Sequence, residues 1–267
     1  MNPYALLSTE RPLDRPIAAA RLALSRRRPP VECARYLAAF QTAIRQEFPP
    51  FMTDLYAELY RAAAQSGQWL ATSFITHAES EGQNARRLWN FAACAADEEE
   101  RQLLKRHACD VSNRSLAALS LLDLTFPGAV AGQFRSQLDQ LSPHYSMKQK
   151  LPAARGSAGG EAPALDDYVQ MNIASIRAMI HRVLQYPAVS AHCPAENVQR
   201  ATRILESLLR DDLSHAAYTG VLIENKTADL APAKCEALFC RCVRELNRFT
   251  SEEPIDYSYH LRFGTYP

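Results

Sequence analysis

Three short stretches carry the residues of this chain best suited to chemistry. In "HAESEGQNARRLWNFA" (77–92), His77, Glu81 and Asn84 stand at i, i+4 and i+7, a spacing that sets them on one side of a helix. In "HACDVSN" (107–113), His107, Asp110 and Asn113 follow at steps of three, and in "DDLSH" (211–215), Asp212 and His215 are again three apart. A carboxylate and an imidazole at such spacing can ligate a metal of N/O preference, relay protons, or form a buried ion pair. A carboxylate on an apolar helix stripe has to pair, protonate or hold a cation, because burying it alone is costly.

The elements that must position these groups read as helices. Phe74, Leu88 and Phe91 continue the row of His77, Glu81 and Asn84, which predicts a helix over about 68–95. The acidic run "DEEE" suits a helix N-terminus, so a second helix is expected over about 97–126, stopping at Pro127-Gly128. Its inner side reads Leu103, His107, Asp110, Asn113 or Arg114, Ala117 and Leu121. A third helix, about 165–186, turns Tyr168, Asn172, Ser175 and Met179 inward and ends at Pro187. A fourth, about 195–225, turns Leu205, Leu208, Asp212, His215, Thr219 and Leu222 inward. Polar interruptions thus fall near the middle of four successive long helices.

Between the second and third helices, about 129–163, the periodicity fails, and "KLPAARGSAGGEAP" reads as a linker that is mobile or crosses the surface. Residues 1–32 form a proline-bounded arm expected to pack, and residues 33–267 read as a single all-helical domain. Within it, two early helices meet at Pro49-Pro50 and a last helix includes "PAKCEALFCRCVRELNRF". No strand-like alternation persists, so the expected class is all-α.

Composition narrows the function. The 267 residues are 47% hydrophobic, enough for a full core, and 30 basic against 29 acidic residues leave a net charge of +1. No global field attracts nucleic acid or an acidic membrane. No run approaches the roughly 18 apolar residues of a membrane span, and "MNPYALLSTERPLDRP" lacks the plan of a secretory signal, so a soluble, cytoplasmic protein is expected. Seven cysteines without CxxC spacing read as reduced structural thiols. "GSAGG" precedes no Lys-Ser/Thr, which argues against a phosphate loop.

Glu81, Asp110 and the late [DE]-x-x-H element "DDLSH" resemble the iron-containing redox enzymes of the ferritin-like family, over roughly 68–225. The resemblance implies a four-helix core bundle with additional N- and C-terminal helices and a long crossover. It implies Glu81, Asp110, Asp212 and His215 as metal ligands, with His77 and His107 as further ligands or proton carriers. Asn84, Asn113, Asn172 and Ser175 would line a substrate pocket. Iron, as one or two ions, is the implied cofactor, with manganese the second choice.

Two positions depart from the family pattern: Asn113 stands where the second helix would carry His, and Ser175 where the third would carry Glu. The expected function is therefore a metal-dependent oxidase or oxygenase with a remodelled site, acting on a small molecule. The alternative is a metal-free derivative of the same bundle, acting as a binding or partner subunit or as a cofactor-independent catalyst. A homodimer is expected, joined through the elements before residue 67 and after 231, including the tail "DYSYHLRFGTYP".

Overall fold

The computed structural model describes residues 3–27, 31–152 and 161–263, with side chains as far as Arg248. Among the described residues there are ten α-helices and no strand, so the chain is all-α. The helices are α1 (Pro3–Thr9), α2 (Arg15–Ser25), α3 (Ala34–Glu47), α4 (Asp54–Ala63), α5 (Gly67–Cys94), α6 (Glu98–Thr125), α7 (Gly132–Asp139), α8 (Leu165–His192), α9 (Ala195–Lys226) and α10 (Pro232–Phe263). None of them, over the described residues, is long and apolar enough to cross a membrane. The chain divides into two compact units: residues 1–69, 164–188 and 205–267 in the first, and 70–163 with 189–204 in the second. Helices α5, α8 and α9 contribute residues to both.

In the first unit, α10 packs chiefly on α3. Tyr36, Phe40 and Phe239 form an aromatic cluster there, with ring centroids 5.9–6.2 Å apart, and Val243, Ile44 and Ala43 of the same two helices are buried as well. The N-terminal arm packs as two short helices. Leu7, Ala19, Ala20, Ala23 and Leu24 are buried, and the Arg15 guanidinium donates to the carbonyls of Leu7 (2.9 Å) and Glu10 (3.0 Å), which fixes the turn between them. At Gly220 of α9 an added Cβ would lie 3.2 Å from a Tyr36 ring carbon and 3.5 Å from Leu24, so α2 and α3 both press against α9 there.

The N-terminus of α3 is capped from far along the chain. Its own N-cap residue, Cys33, makes no side-chain cap. Instead the Glu224 carboxylate accepts the backbone N–H groups of Arg35 (3.3 Å) and Tyr36 (2.8 Å), satisfying two of the donors that every helix start leaves open. Arg35 in turn donates to the carbonyls of Thr227 and Leu230 beyond the end of α9. Helix α3 ends at Phe48, in the left-handed region at φ 43°, and Pro49-Pro50 leads through a 3-10 turn into α4. There Thr53 caps the Tyr56 N–H.

In the second unit, α6 begins as its acidic start predicts: Asp97 accepts the Glu100 N–H at 2.8 Å, and Glu98, Glu99 and Glu100 occupy the first turn. Helix α6 lies close to α5, with the Ser115 hydroxyl donating to the Ala78 carbonyl at 2.7 Å.

Two expectations are corrected. The segment after α6 was expected to carry no helical period, yet α7 occupies 132–139, and the residues that follow form a strap against the unit. Ser142 donates to the Ser112 carbonyl (2.8 Å), the Tyr145 N–H donates to the Ser112 hydroxyl (3.0 Å), and Tyr145 stacks on Trp89 at 4.3 Å. A Cβ added to Gly82 would stand 2.0 Å from the Leu141 carbonyl oxygen, so the strap reaches the backbone of α5. These anchors are single residues with no period, which is why a periodicity reading passes over them. The part of the expected linker at 153–160 lies outside the described residues, as do the side chains of the aromatic tail.

The second correction is that α8 runs through Pro187 to His192. Proline removes one helical hydrogen bond, but Pro187 is exposed, while Val189 and Cys193 beyond it are buried. Burial beyond the proline offsets the lost bond, and the division between the units within α8 follows directly after it, between Ala188 and Val189.

Candidate functional site

The expected site residues fall in both units. Glu81, His77, Asn84, His107, Asp110 and Asn113 belong to the second, and Asn172, Ser175, Asp212 and His215 to the first.

In the second unit the inward row of α5 is shifted from the expected one. Phe74, Ala78, Ala85, Leu88, Trp89 and Ala92 are buried, Phe91 is half-exposed and Asn84 is exposed. The shift follows from the close approach of α6 and the strap: small residues sit where backbones come together, so the row is written in Ala and Gly as much as in Phe and Leu. Glu81 flanks this row and forms an ion pair with Arg114, Nη2 to Oε1 2.8 Å, with both side chains largely enclosed. His77 stays near its own backbone, Nδ1 2.7 Å from the Ser73 carbonyl oxygen.

On α6, His107 is buried, Asp110 half-buried and Asn113 exposed. Arg114 and not Asn113 takes the inward position. Burial raises the Asp110 carboxyl above its ordinary value, and Arg106 and Arg114 oppose the rise. Asn84 and Asn113, expected to line a pocket, both face outward.

In the first unit the inward rows of α8 and α9 are as expected over their central turns. Tyr168, Asn172, Ser175, Met179, Leu205, Leu208, Asp212, His215 and Thr219 are all buried. Asn172 makes three of the four hydrogen bonds open to its amide: it accepts from the Tyr36 hydroxyl at 2.9 Å and donates to the Ala216 carbonyl at 2.9 Å and to Thr219 Oγ1 at 3.0 Å. Burial pushes the Tyr36 phenol well above its usual range, with the Asn172 hydrogen bond pulling the other way. The Thr219 hydroxyl donates in turn to the His215 carbonyl at 2.6 Å. Ser175 donates to the Met171 carbonyl at 2.9 Å.

Asp212 is fully buried and stands 3.8 Å from Nε of Arg182, itself buried. Arg182 also donates to Gln185 Oε1 at 2.9 Å. Next to Arg182, His181 Nε2 lies 2.7 Å from the Tyr56 hydroxyl, in an aromatic group that continues through Tyr60 to Trp69.

The residues that sequence reasoning passed over are therefore arginines and tyrosines. Arg182 was within reach: it continues the row Asn172, Ser175, Met179 by one further step of three. Arg114 was an open choice against Asn113. Tyr36, Tyr56 and Glu224 carry no local signal.

Glu81 and Asp212 each stand beside a guanidinium group, Arg114 and Arg182. Among the described residues, no group of three or more His, Cys, Asp or Glu side chains is gathered as a metal ion requires, and two of the four expected ligands are engaged by arginine. Neither unit by itself holds more than two of the four expected ligands. Compared with protein-family models, with curated proteins and with solved structures, the chain matches none.

Proposed function

We propose that the chain is a ferritin-like helical protein whose buried carboxylates are neutralised by arginines in place of a metal centre, and that it acts as a binding or partner subunit or as a cofactor-independent catalyst. One observation carries this reading: Glu81 and Asp212, the carboxylates best matched to metal ligands, each face an enclosed guanidinium, Arg114 at 2.8 Å and Arg182 at 3.8 Å. Arginine keeps its charge at any physiological pH, so a divalent cation added beside either pair meets repulsion as well as attraction. Asn113 and Ser175 point the same way, since an exposed amide and a hydroxyl bonded to its own helix stand where the family pattern calls for His and Glu.

A second reading has its own support. Asp212 and His215 sit one helical turn apart and both are buried, as two ligands of an iron or, second, a manganese ion would be in an oxidase or oxygenase acting on a small molecule. Anaerobic titration of the full chain with ferrous iron, followed by exposure to dioxygen, separates the two. The arginine-compensated protein gains no thermal stability from iron and consumes no dioxygen beyond the uncatalysed rate. A saturable rise in melting temperature with rapid dioxygen uptake would favour the metal enzyme.

Cytoplasmic location and homodimer formation belong to the same proposal. Phe48, Leu55 and Leu59 are large apolar side chains exposed at the end of α3 and on α4, among the elements assigned to the dimer contact. Light scattering on wild type and on a Leu55→Ser/Leu59→Ser variant tests it, a dimer that becomes monomeric being the expected result. The near-zero formal charge supports neither nucleic acid nor an acidic membrane as partner.

A further inference from the structure

A cleft of about 340 Å³ lies in the second unit, lined by Ser120, Asp123 and Leu124 of α6 and by Arg200, Arg203 and Ile204 of α9. Arg200 and Arg203 are three residues apart, so their side chains project from the same side of α9. Both are exposed, and no carboxylate among the described residues is paired with either. The one carboxylate in the lining, Asp123, is already held: Arg135 of α7 donates Nε to its two oxygens at 2.9 and 3.2 Å. The carbonyl of Leu124 is likewise engaged, by Asn197 Nδ2 at 3.1 Å and by the Cys193 thiol at 3.3 Å. What remains facing the cleft is two guanidinium groups beside apolar surface from Leu124 and Ile204.

From this we infer that the cleft is a binding site for a small molecule carrying a phosphate monoester on a compact apolar body. Guanidinium groups present planar forks of donors that match phosphate oxygens in pairs, and two of them balance a dianion. The volume lies at the low end of the range for small-molecule pockets, about 300–1,000 Å³, so the apolar part is no larger than a single ring or a short chain. Because the whole chain is almost neutral, the attraction is local to these two residues. The site is independent of whatever the buried polar residues of the two units do, and its failure would leave the proposed function untouched.

Phenyl phosphate titrated into the full chain, by calorimetry at low salt, is the test, with inorganic phosphate and phenol as separate arms. Phenyl phosphate should bind saturably, inorganic phosphate more weakly at the same site, and phenol not measurably. The Arg200→Gln/Arg203→Gln variant, altered only at exposed positions, should weaken phenyl phosphate by at least about tenfold. Its far-ultraviolet circular dichroism and melting temperature should be unchanged. The Ile204→Ala variant should weaken phenyl phosphate while leaving inorganic phosphate as it was. Absence of phenyl phosphate binding, equal affinity in wild type and the folded arginine variant, or phenol binding as tightly as its phosphate would each overturn the assignment.

Discussion

Replacing Arg182 with methionine removes the guanidinium that faces Asp212 and keeps most of the side-chain volume. At the 3.8 Å separation of the pair, Coulomb attraction is about 4 kcal/mol at an effective dielectric constant of about 20. The same change strips Gln185 Oε1 of its donor at 2.9 Å, a loss of about 1 kcal/mol. Measured losses for breaking one side of a buried ion pair, about 3–5 kcal/mol, agree with that scale. Arg182→Met should therefore lower the unfolding free energy by about 4 kcal/mol. Replacing both partners, Arg182→Met with Asp212→Leu, should recover part of the loss, because neither member of this pair is then left facing the gap of the other. Urea denaturation of wild type, both single variants and the double variant gives the coupling energy directly. Arg182→Met costing less than about 1 kcal/mol, the range of a neutral surface change, would refute the reasoning. So would strict additivity of the two single changes.

Three further outcomes follow from the same geometry. Gly82→Ala should destabilise the chain and speed proteolysis within 140–150, because the new Cβ would stand 2.0 Å from the Leu141 carbonyl oxygen; the helix-propensity effect of about 1 kcal/mol has the opposite sign, so a stabilised variant would disprove the strap. Glu224→Ala should cost about 1–2 kcal/mol by uncapping α3, with Glu224→Gln intermediate, as denaturant midpoints can show. Asp110→Asn should raise the melting temperature at neutral pH. Burial holds the Asp110 carboxyl above its ordinary value of 3.8, so the stability it contributes is complete below that value and is lost as pH rises through the higher folded-state value. The variant's advantage should accordingly vanish on acidification below the ordinary carboxylate pKa, and an advantage that grows there would contradict the sign.

Much of the helical layout was legible because it is written locally. The "DEEE" run marks the start of α6, Pro49-Pro50 separates α3 from α4, and the rows of α8 and α9 follow their 3.6-residue period through Asn172, Ser175, Asp212 and His215. The phase of α5 was not, because the residues that let α6 and the strap approach are Ala78, Gly82 and Ala85, which carry little hydrophobic signal. Gly82, a glycine in mid-helix, was the available clue to the strap. The Glu224 cap joins residues 188 positions apart at Tyr36, and no window along the chain contains both. The candidate site was half legible for a related reason. Spacing finds polar residues on a buried row, but whether a carboxylate there meets a metal, a histidine or an arginine depends on side chains from other helices.

Metal content of the full chain, purified without chelator from cells supplied with iron and manganese, tests most directly whether arginines neutralise these buried carboxylates in place of an ion. Neither metal should be present in stoichiometric amount, and His215→Ala should leave the trace content unchanged. One or two ions per chain in the wild type, lost in a folded His215→Ala variant, would contradict it.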